Sequence, residues 1–127
     1  MKILITESQL DDIYDDYITF LIGDLQKYTN VRKRNRFGYD TYEGHVFFVN
    51  ENNEVILEID SLGRYWVSRD IIELFSNFFG FHYSLDYLIL VKEFKKWIEK
   101  HFNVDNPKVF AAHYKDWERW QNLELKP

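Results

Sequence analysis

The chain has 127 residues and a mass of 15.6 kDa, which is enough for one hydrophobic core and too little for two, so we expect a single domain over residues 1–127. Hydrophobic residues make up 46% and charged residues 29%, which excludes a disordered polar chain, and the absence of cysteine excludes disulfides and thiolate metal sites. The net charge of −5 argues against a general nucleic-acid coat protein, because the summed field repels phosphate at long range.

The first predicted element is an amphipathic helix. Thr6 stands at the N-cap position, and Gln9 three residues later completes a capping box. Apolar residues then recur every three or four positions, with four aspartates mostly between them, which predicts an acidic outer face. We expect this helix to end within residues 25–28. The aspartates are Asp11, Asp12, Asp15 and Asp16.

A strongly basic segment follows. Residues 27–44 contain glycines and no clean hydrophobic period, so we interpret them as a loop, with one edge strand as an alternative. Five cations with aromatic rings nearby have the composition of a surface that pairs phosphates and stacks bases. The alternative, which we favour, is that these cations balance the acids of residues 7–24, which contain no Lys or Arg, or are simply solvated. The five cations are Lys27, Arg32, Lys33, Arg34 and Arg36.

The middle of the chain predicts a three-stranded antiparallel meander. Residues 45–49 and 54–59 are rich in β-branched and aromatic residues, and the asparagine-rich residues 50–53 have the composition of a hairpin turn. Residues 61–63 end in a glycine that permits a second tight turn before a third strand over residues 64–67.

Two helices are predicted directly after the meander. Ser68 as N-cap and Gly80 as C-terminal stop delimit a helix over residues 69–79. The next helix begins at Ser84 and continues to about residue 102. Its first half is apolar almost all round, so we expect it to be covered on two sides.

The last predicted element is a helix over residues 107–122, with Asn106 as N-cap and proline at the first helical position. Its apolar face is thin, so we expect residues 103–127 to form a peripheral helix and tail that packs weakly or docks on another chain. The order of elements predicts an α+β fold, with an N-terminal helix, a three-stranded antiparallel meander, and then three helices packed on the sheet.

Four segments carry a family resemblance. They are the opening residues 1–7, the phenylalanine-rich hairpin over residues 46–59, the stretch 66–80 that ends in Phe-Phe-Gly, and residues 95–99. Together these segments resemble a group of small uncharacterised proteins of large, often marine, tailed phages. The resemblance implies a phage gene product that acts in a bacterial cytoplasm or in a virion, and it implies no particular functional residues.

The sequence contains no recognisable motif for catalysis or metal binding. No two of the four histidines have the i, i+4 spacing of a helical zinc motif, and no serine lies in a Gly-x-Ser-x-Gly context. Aspartates four residues apart on the first helix share a face, an arrangement that binds a divalent cation or, more commonly, is only hydrated. We therefore predict that the protein is not an enzyme and uses no metal or cofactor.

The aromatic share of 19% supplies the leading functional hypothesis. Trp and Tyr dominate binding hot spots because they bury much area with few rotatable bonds. We predict a non-enzymatic protein-interaction module, a phage accessory or virion-associated protein, in which rings of the last helix bind another protein chain or a second copy. A competing interpretation is that these rings cover the domain's own sheet. The partner-binding residues of this hypothesis are Phe110, Tyr114, Trp117 and Trp120.

The alternative function is nucleic-acid or phosphate binding through residues 27–36. No stretch of the chain approaches the roughly 18 apolar residues that a membrane helix requires, so we expect no membrane contact. We expect a cytoplasmic protein, and the resemblance to phage proteins implies that this is the cytoplasm of the host cell, or that the protein is in the virion.

Overall fold

The computed structural model describes residues 6–112 and 120–126, and over these residues the protein has an α+β fold. Three helices and eight strands are present in this part of the chain. The helices are α1 (Glu7–Ile22), α2 (Arg69–Phe79) and α3 (Tyr87–Phe102). The strands are β1 (Gln26–Tyr28), β2 (Asn30–Asn35), β3 (Gly38–Thr41), β4 (Val46–Val49), β5 (Val55–Ile59), β6 (Tyr65–Val67), β7 (Val109–Ala111) and β8 (Leu123–Lys126).

The strands form two sheets. The larger sheet has the order β1-β4-β5-β6-β7 and is antiparallel except for the parallel pair β6 and β7. The smaller sheet has the order β3-β2-β8 and is antiparallel throughout. The predicted meander is present as β4, β5 and β6, at the centre of the larger sheet. That sheet is wider than predicted because β1 and β7 extend it at its two edges.

The larger sheet lies between the helices and the smaller sheet. Successive residues of a strand face opposite sides, so Leu57 of β5 packs in the core with the helices. Its neighbour Glu58 is in register with Phe47, which packs against Val31 of the smaller sheet. The helices and the β2–β3 hairpin therefore lie on opposite sides of the larger sheet.

Helix α1 begins as predicted and ends earlier than predicted. Thr6 and Gln9 form both hydrogen bonds of the capping box. The helix stops at Ile22 because Gly23 takes φ +66° and ψ −157°, a conformation that side-chain-bearing residues avoid, and its N–H donates to the carbonyl of Thr19. The expected end within residues 25–28 is wrong for this reason.

The basic segment forms strands rather than the predicted loop. Residues 26–28, 30–35 and 38–41 become β1, β2 and β3, and the last two form a hairpin. Periodicity did not predict β2 because its exposed positions carry cations, and only Val31 is fully buried. A strand of this kind is held by pairing on both edges, here with β3 and β8.

Helices α2 and α3 differ in how closely they follow the prediction. Helix α2 has the predicted bounds, and Gly80 ends it in the left-handed conformation. Helix α3 begins at Tyr87 instead of Ser84, and the expectation that its first half is covered on two sides is wrong, because Leu85 and Leu88 are exposed. None of the helices in the described residues is both long and apolar enough to cross a membrane.

The predicted last helix over residues 107–122 is wrong for residues 109–111, which form β7, and residues 113–119 of that prediction lie outside the described residues. The residues of β7 are alternately buried and exposed, the period of a strand, and β7 pairs in parallel with β6. Asn106 adopts φ +47°, which is unsuited to a helix N-cap. Strand β8 pairs with β2, so residues 123–126 belong to the smaller sheet.

Candidate interaction surface

The structure separates the five cations of the basic segment. Lys27 lies in β1 in register with Phe48, which packs on the helix side of the larger sheet. Lys33 shares a face of β2 with the buried Val31 and is itself half-buried. These two lysines therefore do not join the exposed cations of the hairpin.

Three arginines do share the β2–β3 hairpin. Arg32 Nε donates to Glu124 Oε2 at 2.7 Å, and its guanidinium lies 4.0 Å from the centre of the Tyr39 ring. Arg34 follows on the same face of the strand, and Arg36 lies in the turn. Neither Arg34 nor Arg36 forms an ion pair with another residue in the described segments. The hairpin thus presents two uncompensated cations.

Two acids of α1, Asp11 and Asp15, form ion pairs with α3 and not with the basic segment. Lys96 Nζ lies 3.3 Å from Asp11 Oδ1, Lys100 Nζ lies 3.1 Å from Asp15 Oδ2, and His101 Nε2 lies 3.0 Å from Asp15 Oδ1. The hydrogen bond to Asp15 raises the pKa of the Lys100 ammonium. Our favoured interpretation of the basic segment, charge balance against the first helix, is therefore wrong for these acids.

A contiguous apolar stripe runs across the outer surfaces of α1 and α2. Phe20 is 77% exposed and Phe78 is 63% exposed, and Ile13 and Leu74 are exposed as well. Tyr17 joins the two helices, because its ring stacks on Phe78 at 4.1 Å between centroids and lies 6.0 Å from Phe20. Ile13 is one helical turn from Tyr17 and Leu74 is one turn from Phe78, so the five side chains form one surface. We call this set the apolar stripe.

The border of the apolar stripe along α1 is acidic. Helix α1 contains no Lys or Arg. The exposed Asp12 and Asp16 form no ion pair with any residue that the structure describes. Beside Phe20, between the end of α1 and the β4–β5 turn, is an open cleft of about 420 Å³ whose charged lining residues are Asp24 and Glu51. Lys100 of α3 interacts with Asp12 and Asp16 only at longer range, so the surface combines large apolar side chains with carboxylates that have no direct ion pair among the described residues.

Of the aromatic residues assigned to partner binding from the sequence, the structure describes two, the exposed Phe110 and the buried Trp120. Trp120 is 8% exposed, and its indole Nε1 donates to Oε1 of Glu58 at 2.7 Å. Glu58 is fully buried between the sheets and is also 2.7 Å from His45 Nδ1. Phe110 lies at the edge of the larger sheet and stacks on Trp66 at 5.0 Å. The other two assigned residues lie outside the described residues: Tyr114 and Trp117.

A second buried carboxylate organises the β5–β6 turn. Asp60 accepts hydrogen bonds from Trp66 Nε1 at 2.9 Å, from Arg64 Nε at 2.6 Å, and from the backbone N–H groups of Leu62 and Arg64. Burial by itself raises the pKa of this carboxyl, but the hydrogen bonds outweigh burial and lower its pKa to about 2. Asp60 is therefore a charged structural element of the turn.

The apolar stripe was not identified from the sequence, although a signal for it exists. Phe20 lies two residues from each of the buried Ile18 and Ile22, which places it nearly opposite them around the helix. Its position on α1 therefore predicts exposure. The contribution of Phe78 depends on how α2 packs against α1, and no local pattern contains that information.

Comparison with known proteins identified no relative of this chain. No protein-family model, no curated protein and no solved structure matches the chain.

Proposed function

We propose that this protein is a non-enzymatic protein-interaction module that binds its partner on the apolar stripe of α1 and α2. The observation that carries the proposal is the exposure of contiguous aromatic and aliphatic side chains beside carboxylates that form no direct ion pair with a described residue. Contiguous apolar surface exposed on a soluble protein marks interaction sites. The stripe takes the place of the C-terminal aromatic residues as the proposed contact surface, because Trp120 is buried.

The acidic border defines the chemistry of the partner. A partner that covers Phe20 and Phe78 also removes water from around Asp12 and Asp16, which form no direct ion pair with a described residue. Cations on the partner compensate for this desolvation and speed the encounter, whereas acidic groups on the partner are repelled. The proposed partner is therefore an amphipathic segment with large apolar anchors flanked by Lys or Arg.

The resemblance to phage proteins gives this module a proposed setting. In that setting it is a phage accessory or virion-associated protein, and its partner is another protein chain or a second copy, in the host cytoplasm or in the virion. Mass spectrometry of purified particles distinguishes the two locations.

The alternative function, nucleic-acid or phosphate binding through residues 27–36, is less well supported. Its five cations do not converge, since Lys27 lies in the larger sheet and Lys33 lies on the opposite face of β2 from Arg34. Arg32 is in addition paired with Glu124. Two uncompensated arginines correspond to few phosphate contacts, and the net charge of −5 opposes approach of a polyanion.

Selection from a displayed library of random peptides tests the proposed function. The wild-type protein is the target, and the double variant Phe20→Ser, Phe78→Ser is the counter-target, since its substituted positions are both exposed and its fold should be retained. We expect the peptides that prefer the wild type to place apolar residues at helical spacing and to carry more Lys and Arg than Asp and Glu. Binding of a selected peptide should weaken as salt is raised.

The control is Leu62→Ser, which replaces an exposed apolar side chain that does not belong to α1 or α2 but to the β5–β6 turn. This variant should bind the selected peptides as the wild type does. Failure to enrich any peptide over the double variant contradicts the proposed surface. Enrichment of acidic peptides contradicts the proposed partner chemistry. Thermal unfolding of both variants confirms that they are folded.

A further inference from the structure

The following inference rests on the proposed function and names the partner. We propose that the basic, apolar segment that occupies the apolar stripe is the tip of the β2–β3 hairpin of a second copy of this chain. The tip consists of Arg34, Arg36 and Phe37, and the contact is head to tail.

The hairpin tip has the chemistry that the apolar stripe requires. Phe37 is 93% exposed, a higher fraction than any other large apolar side chain in the described residues. The guanidinium of Arg36 lies 5.9 Å from the centre of its ring, and Arg34 is exposed on the adjoining strand. The tip is therefore an aromatic anchor flanked by two cations that form no ion pair with described residues. This is the pattern inferred for the partner from the acidic border alone.

The tip is held in shape by its own hydrogen bonds. The backbone N–H of Phe37 donates to Asn35 Oδ1 at 2.8 Å, and Asn35 Nδ2 donates to Asp40 Oδ1 at 2.7 Å across the hairpin. These bonds fix the turn before any contact is made. A preorganised anchor loses less conformational freedom on binding than a flexible one, so a small contact suffices for association.

The receiving surface provides a place for the ring and for both cations. The cleft beside Phe20, of about 420 Å³, opens at the edge of the apolar stripe and carries the carboxylates of Asp24 and Glu51. Asp12 and Asp16 line the same side of α1. When Phe37 of one copy packs against Phe20 of the next, the two arginines approach these four carboxylates. None of the four carboxylates forms a direct ion pair within the described segments.

The contact must form between copies, because the fold holds the two surfaces apart. The apolar stripe belongs to the helix layer, and the hairpin belongs to the smaller sheet on the other side of the larger sheet. A contact between two different surfaces is heterologous, so a pair of copies keeps one free tip and one free stripe, and the assembly extends into a ring or a filament.

Complementation of two variants tests this arrangement. The first variant, Arg36→Ser with Phe37→Ser, lacks the tip, and the second, Phe20→Ser with Phe78→Ser, lacks the stripe. Sedimentation velocity of the wild type should show an average mass that rises with concentration, whereas each variant alone should stay at the monomer mass of 15.6 kDa. An equal mixture should form a species of twice the monomer mass and nothing larger, because the one intact tip meets the one intact stripe.

Salt and charge reversal supply independent checks. Raising the salt from about 0.1 M to about 1 M shortens the Debye length from roughly 10 Å to roughly 3 Å and should weaken wild-type association several-fold. The variant Asp16→Lys with Asp24→Lys keeps the apolar stripe intact and should also be monomeric. If Phe20→Ser with Phe78→Ser fails to fold, this charge variant replaces it in the mixture.

Three outcomes overturn the inference. A wild type that stays monomeric up to millimolar concentration excludes the second copy, and if library peptides still depend on Phe20 and Phe78, the proposed function stands without it. Wild-type assembly with no complementation by the mixture indicates a symmetric contact. Binding of a fluorescent single-stranded oligonucleotide that is lost in the tip variant, without self-association of the wild type, assigns the tip to nucleic acid instead.

Discussion

Replacing Trp120 by phenylalanine measures what the buried indole contributes to the fold. Its Nε1 donates a 2.7 Å hydrogen bond to Glu58, and a hydrogen bond to a charged acceptor contributes about 1.5–3 kcal/mol. The smaller ring also leaves unfilled space between the sheets, equivalent to roughly two buried methylene groups at about 0.8 kcal/mol each. We expect Trp120→Phe to lower the free energy of unfolding by about 3–5 kcal/mol.

Urea denaturation followed by far-ultraviolet circular dichroism measures this loss without depending on tryptophan fluorescence. The thermal midpoint should fall by roughly 10–15 °C for a chain of this size. The matched control is Phe37→Leu, at an exposed ring, which should change the free energy of unfolding by less than about 0.5 kcal/mol. A loss below about 1 kcal/mol for Trp120→Phe would refute the assignment of the indole as a buried donor to a carboxylate.

Three further predictions concern local features of the fold. The pKa of Asp60 is lowered from 3.8 to about 2 in the folded protein. The charged carboxylate therefore contributes about 2 kcal/mol to the free energy of unfolding above pH 4, and this contribution is lost as the pH falls toward 2. Urea titrations at pH 5, 3 and 2 should show a steeper loss for the wild type than for Asp60→Asn, and parallel curves would contradict the charged role. Gly23→Ala should lower the free energy of unfolding, measured by urea titration, by about 1–3 kcal/mol because of the positive φ. Apart from the adjacent residues of the chain, no atom lies within 4 Å of the added Cβ position, so steric overlap adds nothing. An unchanged free energy of unfolding would mean that α1 ends differently. Asp15→Asn removes the carboxylate that pairs with the exposed Lys100 and with His101. We expect it to lower the free energy of unfolding by less than about 1 kcal/mol, and this difference should shrink in high salt because salt screens exposed ion pairs. A loss that does not depend on salt would show that the ion pair is not screened.

Several elements follow from signals a few residues long. The capping box of Thr6 and Gln9 and the stop of α2 at Gly80 are present as predicted, and the meander β4–β5–β6 is present within a wider, five-stranded sheet. Each depends on contacts between residues close in sequence, or on a backbone conformation that one residue type tolerates best. Such signals depend only on neighbouring residues, which is why they can be recognised in the sequence.

The remaining strands depend on distant parts of the chain. Strand β2 carries arginines at its exposed positions and is stabilised by β8, which lies more than eighty residues later. Strand β7 contains only three residues, and its pairing with β6 supplies the hydrogen bonds that a helix would otherwise provide. A strand of this length has too few residues to show a period, so its neighbour determines its conformation.

The amino-acid sequence by itself determined the α+β class, the start of α1, the central meander and the excess of aromatic residues. Only the tertiary structure decided which rings are buried and which face water. Trp120 became a buried donor to Glu58, and Phe20 and Phe78 became neighbours on the surface. The physical reason is that hydrophobicity is a property of a side chain, whereas burial is a property of the layers packed around it, and those layers come from residues far apart in the chain.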